Sequence, residues 1–117
     1  MAVSPDPLVV RPGHWQPVVV HLFKRYEHVC RHHQQALEDK VGRDLAARTL
    51  GMCVHVQAHV EEFIEDKANR WLGFVQGILT VAGLLSVEDE RNYTRPLFHA
   101  LHGVSARQEV QINEAAP

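Results

Sequence analysis

Apolar residues recur at intervals of three and four along most of this chain, which is the spacing of one face of an α-helix. The first such pattern predicts a helix over residues 16–39, with Pro17 in its first turn and Gly42 closing the turn that follows. Its inner stripe consists of Val19, Phe23, Tyr26, Cys30 and Leu37. Basic residues, histidine and glutamine fill the other side, so one face of this helix is expected to be buried.

Two further apolar patterns predict two more long helices. One runs from Asp44 to about Asp66, and the other covers residues 68–82, where Gly83 suits the left-handed residue that ends a helix. The stripe of the earlier helix consists of Leu45, Thr49, Met52, Cys53, Val56, Val60 and Phe63. The chain between these two helices contains no strong helix breaker, so their boundary is left open.

The C-terminal part of the pattern predicts short helices. Ser86 and Asp89 have the spacing of a capping box ahead of a helix over residues 87–94, and Pro96 begins a last turn or two that ends at Gly103. No strand pattern and no internal repeat accompanies these helices. The predicted fold is therefore all-α, a small helical bundle of three main helices plus one or two short C-terminal helices.

The residues at both ends of the chain lie outside the helical patterns. Residues 1–15 are rich in proline and predict an extended N-terminal arm, whereas residues 104–117 show no periodicity and predict a C-terminal tail. Residues 16–103 form the predicted helical domain between them. A chain of 117 residues is long enough for one such domain to bury a core without metal or disulfide support.

Two glycines lie one turn apart in the most apolar segment, at Gly73 and Gly77. Glycine inside a helix costs about 1 kcal/mol relative to alanine, and close approach of another backbone is the usual compensation. The helix around them is apolar on nearly all sides, which predicts neighbours on several faces. One interpretation is a central core helix of a monomer. The other, which we adopt, is a homodimer whose interface contains Gly73, Phe74 and Gly77.

Charge and composition narrow the classes of function. The net charge is −2, so no basic field attracts nucleic acid, which is not expected as a partner. Protonating all nine histidines would move the charge from −2 to +7, so association should depend on pH near 6. Cys30 and Cys53 fall on apolar stripes and are expected to be inert thiols of a reducing compartment. With no signal-peptide pattern and no membrane-spanning stretch, we expect a cytoplasmic protein without membrane contact.

Arginine and aromatic residues offer a candidate ligand site. Arg70 and Trp71 begin the third predicted helix, where a guanidinium binds phosphate or carboxylate and an indole stacks on a flat ring. The candidate residues for a nucleotide-like anion are Arg70, Trp71, Gln76, Arg91, Tyr93 and Arg95. Arg70 and Arg91 meet only if the last helix folds back fully or a second subunit supplies one of them. The alternative is that Arg70 pairs with Glu65 or Asp66 and the later arginines face solvent.

Histidines spaced for one helical face offer a candidate metal site. His55 and His59 are four apart and Glu62 follows three later, so this trio matches ligand types that zinc prefers. The sequence HVQAH lacks the glutamate of an HExxH motif, so we expect no cofactor and keep zinc as the alternative. No phosphate loop, paired carboxylates or activated nucleophile indicates a reaction, and the protein is predicted not to be an enzyme.

The segments NRWLGFVQGIL and AGLLSVEDERNYTRP resemble a block found in small helical proteins of phages, prophages and mobile elements. The resemblance covers residues 67–96, about a quarter of the chain, and carries over no catalytic residue. It implies an accessory protein of a mobile element, of a kind that can counteract a host defence. The expected function is therefore non-enzymatic binding through protein–protein contact, with the anion site and the metal site as the two alternatives.

Overall fold

The computed structural model describes residues 8–103, which are built from helices and short connections. In chain order the elements are α1 (Trp15–His32), α2 (Gln34–Val41), α3 (Arg43–His59), a 3₁₀ turn (Val60–Glu62), α4 (Glu65–Val81) and α5 (Val87–Leu101). No strand occurs among the described residues, so the prediction of a small all-α bundle is confirmed. The predicted tail at 104–117 and the first seven residues of the predicted arm lie outside the described residues.

α1 is the helix around which the others pack. It contacts α3 most extensively, then α4, and it also contacts α2 and α5. Its buried residues are Val18, Val19, Leu22, Phe23, Tyr26 and Cys30, so the predicted inner stripe is confirmed. A central position for the third predicted helix is therefore wrong, because α1 occupies that position.

The helix predicted over residues 16–39 is divided at His33. This residue has φ −118° and ψ 32°, outside the helical region, and it separates α1 from α2. The backbone hydrogen bonds nevertheless run on through the break, from the His33 N–H to the Val29 carbonyl and from the Leu37 N–H to the His33 carbonyl. Neither proline nor glycine marks this position, so apolar spacing alone could not reveal it.

The chain between α3 and α4 turns without a proline or a glycine. α3 ends at His59, the 3₁₀ turn follows, and Phe63 and Ile64 are extended before α4 begins at Glu65. A helix reaching Asp66, as the spacing predicts, is therefore wrong. Phe63 leaves the helical path and buries its ring, which is 8% exposed. This turn places an aromatic side chain against the first turns of α4, where the candidate site lies.

The C-terminal segment is one helix of 15 residues that continues through Pro96. The separate turns predicted on either side of this proline are therefore joined in α5. Its predicted cap is confirmed, because the Ser86 hydroxyl accepts a hydrogen bond from the Asp89 N–H at 3.3 Å. Gly83 ends α4 with φ +78°, also as predicted. No helix in the described part of the chain is both long and apolar enough to cross a membrane.

α4 buries one stripe and exposes the rest of its apolar surface. The buried residues are Ala68, Leu72, Val75 and Leu79. Phe74 is 44% exposed, so a helix covered on nearly all sides by its own chain is wrong. Gly73 and Gly77 point outward, and a Cβ atom added to either would meet nothing within 4 Å. Close approach within the described chain therefore does not account for these two glycines.

Candidate functional site

A groove between α3 and α4 combines arginines with exposed apolar side chains. The groove, called here the Trp71 groove, has a volume of about 550 Å³ and is lined by Arg48, Met52, Arg70, Trp71 and Phe74. Helical spacing explains the set, because Arg48 and Met52 are one turn apart on α3, as are Arg70 and Phe74 on α4. No acidic residue is among the lining residues. The groove thus offers apolar contact beside two positively charged guanidinium groups.

Trp71 is held in position by an aromatic cluster. The Phe63 ring meets the Trp71 ring edge-on, with centroids 5.1 Å apart, and the His55 ring lies 5.9 Å from the indole. The ammonium group of Lys67 lies 5.5 Å from the Trp71 ring centroid and 5.1 Å from that of Phe63. The indole is half-buried, so one part is fixed by packing while another part faces the groove. Such a side chain contacts a partner with little loss of rotamer entropy.

The two arginines of the Trp71 groove have no carboxylate partner in the described part of the chain. The salt bridges there join Arg25 to Glu90, Arg31 to Glu27 and His59 to Glu62. The alternative in which Arg70 pairs with Glu65 or Asp66 is therefore wrong. Arg48 and Arg70 are both exposed and can reorient toward an anionic group without breaking an existing ion pair.

The histidines and the glutamate predicted as metal ligands lie beside this groove. His55 and His59 have ring centroids 4.5 Å apart, and His59 Nδ1 lies 2.9 Å from a carboxylate oxygen of Glu62. His55 also faces the rings of Phe63 and Trp71. Among residues 8–103, no group of three or more histidine, cysteine, aspartate or glutamate side chains is placed to hold a metal. The His55 and His59 rings therefore extend the aromatic cluster around Trp71.

A second groove lies between the C-terminal half of α4 and the first half of α5. This α5 groove has a volume of about 430 Å³ and is lined by Gln76, Gly77, Thr80, Val81, Val87, Glu90, Arg91 and Thr94. The predicted anion site is therefore divided. Arg70 and Trp71 line the Trp71 groove, whereas Gln76 and Arg91 line the α5 groove and share no lining residue with it. Within one chain these residues do not form a single site.

A partly buried ion pair attaches α5 to α1 beside the α5 groove. Arg25 Nε donates to a Glu90 carboxylate oxygen at 2.8 Å, and Glu90 is only 7% exposed. The Arg25 guanidinium also lies 3.9 Å from the ring centroid of Tyr93, whose hydroxyl is 2.6 Å from His21 Nε2. Tyr93, predicted as a ligand contact, therefore belongs to this network. Arg95, the remaining predicted contact, is half-buried on α5 and lines neither groove.

The same network reaches α4 through a buried tyrosine. Gln76 Nε2 donates to the Tyr26 hydroxyl at 2.8 Å, so the predicted ligand contact Gln76 is already engaged within the chain. Burial raises the pKa of Tyr26 well above its usual value. Tyr26 is fully buried and neutral at physiological pH, and its role in this geometry is to connect α1 and α4.

Sequence reasoning missed Arg25 and Glu90, although the spacing carries a signal for both. Glu90, Thr94, Leu97 and Leu101 follow one stripe of α5, and Arg25 falls on the α1 stripe of Val18, Leu22 and Val29. A charged residue on an otherwise apolar stripe on each of two helices indicates a buried pair.

No known protein family matches this chain, and no curated protein or solved structure is significantly similar to it.

Proposed function

We propose that this protein is a non-enzymatic binding protein that acts through protein–protein contact at the Trp71 groove. One observation carries the proposal: a half-buried tryptophan, fixed by Phe63 from behind, faces a groove whose other lining residues are arginine, methionine and phenylalanine. These residue types are enriched at protein interfaces, and tryptophan and arginine dominate measured hot spots. Packing against Phe63 and His55 restricts the Trp71 side chain, as a rigid anchor of an interface requires.

The charges of the groove define the chemistry of its partner. Arg48 and Arg70 supply two positive charges without an opposing carboxylate in the lining. The fitting partner therefore presents an apolar side chain to Trp71 and Phe74, with carboxylates beside it. Arginine remains protonated, and indole, phenyl and thioether groups neither transfer protons nor attack substrates under ordinary conditions. These properties support binding rather than catalysis at this groove.

Self-association through α4 is a second part of the proposal. Gly73, Phe74 and Gly77 form an outward surface, called here the α4 outer face, where the backbone is open to a neighbour. The cost of two helix-interior glycines, about 1 kcal/mol each, is not offset by close packing within the described chain. A second copy crossing at this face would offset it, and Phe74 would then be shared between the dimer contact and the Trp71 groove.

A small anionic ligand with a flat ring is the alternative occupant of the Trp71 groove. The groove volume of about 550 Å³ suits a nucleotide-sized molecule, and the groove holds both an indole and two guanidinium groups. Zinc at His55, His59 and Glu62 has no such support, because no group of three or more ligand side chains among residues 8–103 is placed to hold a metal. An origin in a mobile element, with action against a host defence, is supported by the resemblance of residues 67–96 alone.

The experiment that tests the groove compares two charge reversals on α3. Arg48→Glu changes the groove, whereas Arg43→Glu changes an exposed residue of the same helix that does not line it. Proteins captured from source cells by the wild type are identified and purified, and their binding is then measured. We expect Arg48→Glu to weaken binding at least 30-fold, as for a hot spot of about 2 kcal/mol, and Arg43→Glu to leave it unchanged.

The same variants separate protein binding from the anion alternative. Equal binding by wild type and Arg48→Glu would overturn the proposed contact surface. A set of nucleotides is added to the purified wild type in thermal-shift measurements, where a ligand at 100 times its dissociation constant stabilises a protein by about 2.7 kcal/mol. A shift that disappears in Arg48→Glu and persists in Arg43→Glu would assign the groove to the small anion instead.

A further inference from the structure

The two cysteines face each other across the contact between α1 and α3. Cys30 is 2% exposed and Cys53 is fully buried. The two helices run antiparallel here: Gln57 Nε2 donates to a Glu27 carboxylate oxygen at 2.8 Å, whereas Cys30, farther along α1, borders one cavity with Ala46 and Leu50, farther back on α3. Cys30 lies three residues after Glu27 on α1, and Cys53 lies four residues before Gln57 on α3. Because the helices are antiparallel, this register places the two thiols opposite each other. Each thiol is the strongest influence on the pKa of the other, which agrees with this register.

Contact between the thiols makes them unequal. The pKa of Cys30 lies below its usual value because Cys53 donates a hydrogen bond to the Cys30 thiolate. The pKa of Cys53 is raised, because its proton is held in that same bond and because burial disfavours its charge. The expectation that both thiols are inert stays a prediction, which the reactivity proposed below for Cys30 contradicts. Cys30 is the better placed to react, because it borders the cavity described next and Cys53 does not, and Cys53 stands beside it as the second thiol.

Cys30 also borders a small cavity where α1, α2 and α3 meet. The cavity has a volume of about 100 Å³ and is lined by Cys30, Gln34, Leu37, Glu38, Ala46, Ala47 and Leu50. A space of this size holds several molecules the size of water, since one water molecule needs roughly 10–15 Å³ on the same measure. Hydrogen peroxide therefore fits, whereas glutathione disulfide is too large. Cys53 is absent from the lining, so the cavity approaches the pair from the side of Cys30.

We propose that Cys30 and Cys53 form a peroxide-sensitive thiol pair that closes to a disulfide in the folded protein and joins α1 to α3. The Cys30 thiolate attacks one oxygen of hydrogen peroxide, the O–O bond breaks, and the products are Cys30 sulfenic acid and hydroxide, which takes the proton that Cys30 released. The Cys53 sulfur then attacks the Cys30 sulfur and water leaves with the Cys53 proton. Two thiols and one peroxide give one disulfide and two waters, with two electrons passing from sulfur to peroxide.

The contact in the folded state determines the product. A sulfenic acid next to a second thiol condenses with it faster than it reacts with further peroxide, because the attacking sulfur is already in place. Without that neighbour, oxidation proceeds toward sulfinic acid. The disulfide closes the loop from Cys30 to Cys53, which includes α2 and the first half of α3. Constraining a loop of this length in the unfolded chain should raise the melting temperature by on the order of 10 °C.

The test treats the full chain with hydrogen peroxide, alkylates the remaining thiols under denaturing conditions and measures the intact mass. We expect the folded wild type to lose two hydrogen atoms, to take up no alkylating agent, and to recover both thiols and its original melting temperature after reduction. Two alkylatable thiols after treatment would overturn the proposal. Sulfinic acid at either cysteine, or a disulfide between two chains, would overturn it equally, since each shows that the pair does not close.

Two variants assign the roles of the thiols. In Cys53→Ala, Cys30 keeps its place beside the cavity but lacks its resolving partner, so dimedone should trap a sulfenic acid there. In Cys30→Ala, Cys53 should remain alkylatable after the same exposure. Circular dichroism establishes that each variant is folded, and the wild-type mass result stands without them. Equal peroxide reactivity of the two variants would contradict the assignment of Cys30 as the attacking thiol.

Discussion

The two grooves of this protein differ in whether their charged side chains are paired within the chain. In the α5 groove, the Glu90 carboxylate is buried and paired with Arg25 at 2.8 Å, inside a network that also holds Tyr93. In the Trp71 groove, Arg48 and Arg70 are exposed, and neither joins a carboxylate in the described part of the chain. Charges satisfied within the chain hold helices together, whereas charges left to solvent beside an aromatic platform are available to a partner.

The difference also separates structural residues from proposed binding residues among the aromatic side chains. Tyr26 accepts a hydrogen bond from Gln76 and is fully buried, so it serves the core. Trp71 is half-buried and has Phe63 behind it, with the groove in front. Removing the paired charge of the α5 groove should therefore lower stability, whereas removing a charge of the Trp71 groove should lower binding with stability kept. The first of the measurements below tests this division directly.

The largest effect is expected at the partly buried ion pair of Arg25 and Glu90. Glu90→Gln removes the negative charge that compensates Arg25, and the free energy of unfolding should fall by about 2 kcal/mol. Arg48→Gln, the matched change in the Trp71 groove, should alter it by less than about 0.5 kcal/mol. Urea unfolding of the two variants beside the wild type measures both values. Equal losses would show that Arg48 is as engaged within the fold as Glu90 and would remove the contrast between the grooves.

A smaller effect of opposite sign is expected at the glycine on the floor of the α5 groove. A Cβ atom at Gly77 meets nothing within 4 Å, so Gly77→Ala should raise the free energy of unfolding of the monomer by up to about 1 kcal/mol. Gly51 on α3 is equally open and exposed, so Gly51→Ala is the matched control away from α4. Thermal unfolding at low protein concentration measures the two gains.

Larger side chains at these glycines test the α4 outer face. Gly77→Leu should weaken dimerisation if a second copy crosses there, because overpacking a close contact costs about 1–3 kcal/mol. Gly51→Leu should leave the oligomeric state unchanged. Sedimentation at tens of micromolar reports the association of both variants and of the wild type. A monomeric wild type would remove the homodimer from the proposal while leaving the stability comparison intact.

The helices were predictable from the sequence, but the break at His33, the extended Phe63 and the division of the predicted anion site were not. Stripes such as Val19, Phe23 and Tyr26 identify a buried face because apolar spacing reports burial directly. Neither the break at His33 nor the extended Phe63 has a local glycine or proline to mark it, and at Phe63 the burial of the ring is a tertiary effect. The division of the predicted anion site has the same origin, because spacing along the chain does not determine which helices meet.

Arg70 and Trp71 were identified from local sequence, whereas their groove partners were not. Arg48 and Met52 belong to another helix, and only the packing of α3 on α4 brings them to the same groove. The prediction of Gly73 and Gly77 as a contact surface rests on the cost of glycine in a helix, which sequence alone reveals. What occupies that surface depends on a neighbour that one chain does not contain.

The smallest effect is expected at Glu27. Its carboxylate is more exposed than that of Glu90, so the stability lost there is a reference for the loss at Glu90. Hydrogen bonds from Arg31 and then from Gln57 hold the pKa of Glu27 below its usual value. A lowered folded-state pKa contributes stability above the ordinary carboxylate pKa, and this contribution is lost as the pH falls below about 4. Glu27→Gln should therefore lower the free energy of unfolding by about 0.5 kcal/mol at pH 7 and by less at pH 3. Urea unfolding at the two pH values measures this, with the exposed Glu61→Gln as control, and a loss that grows toward pH 3 would contradict the assignment of these hydrogen bonds to the charged carboxylate.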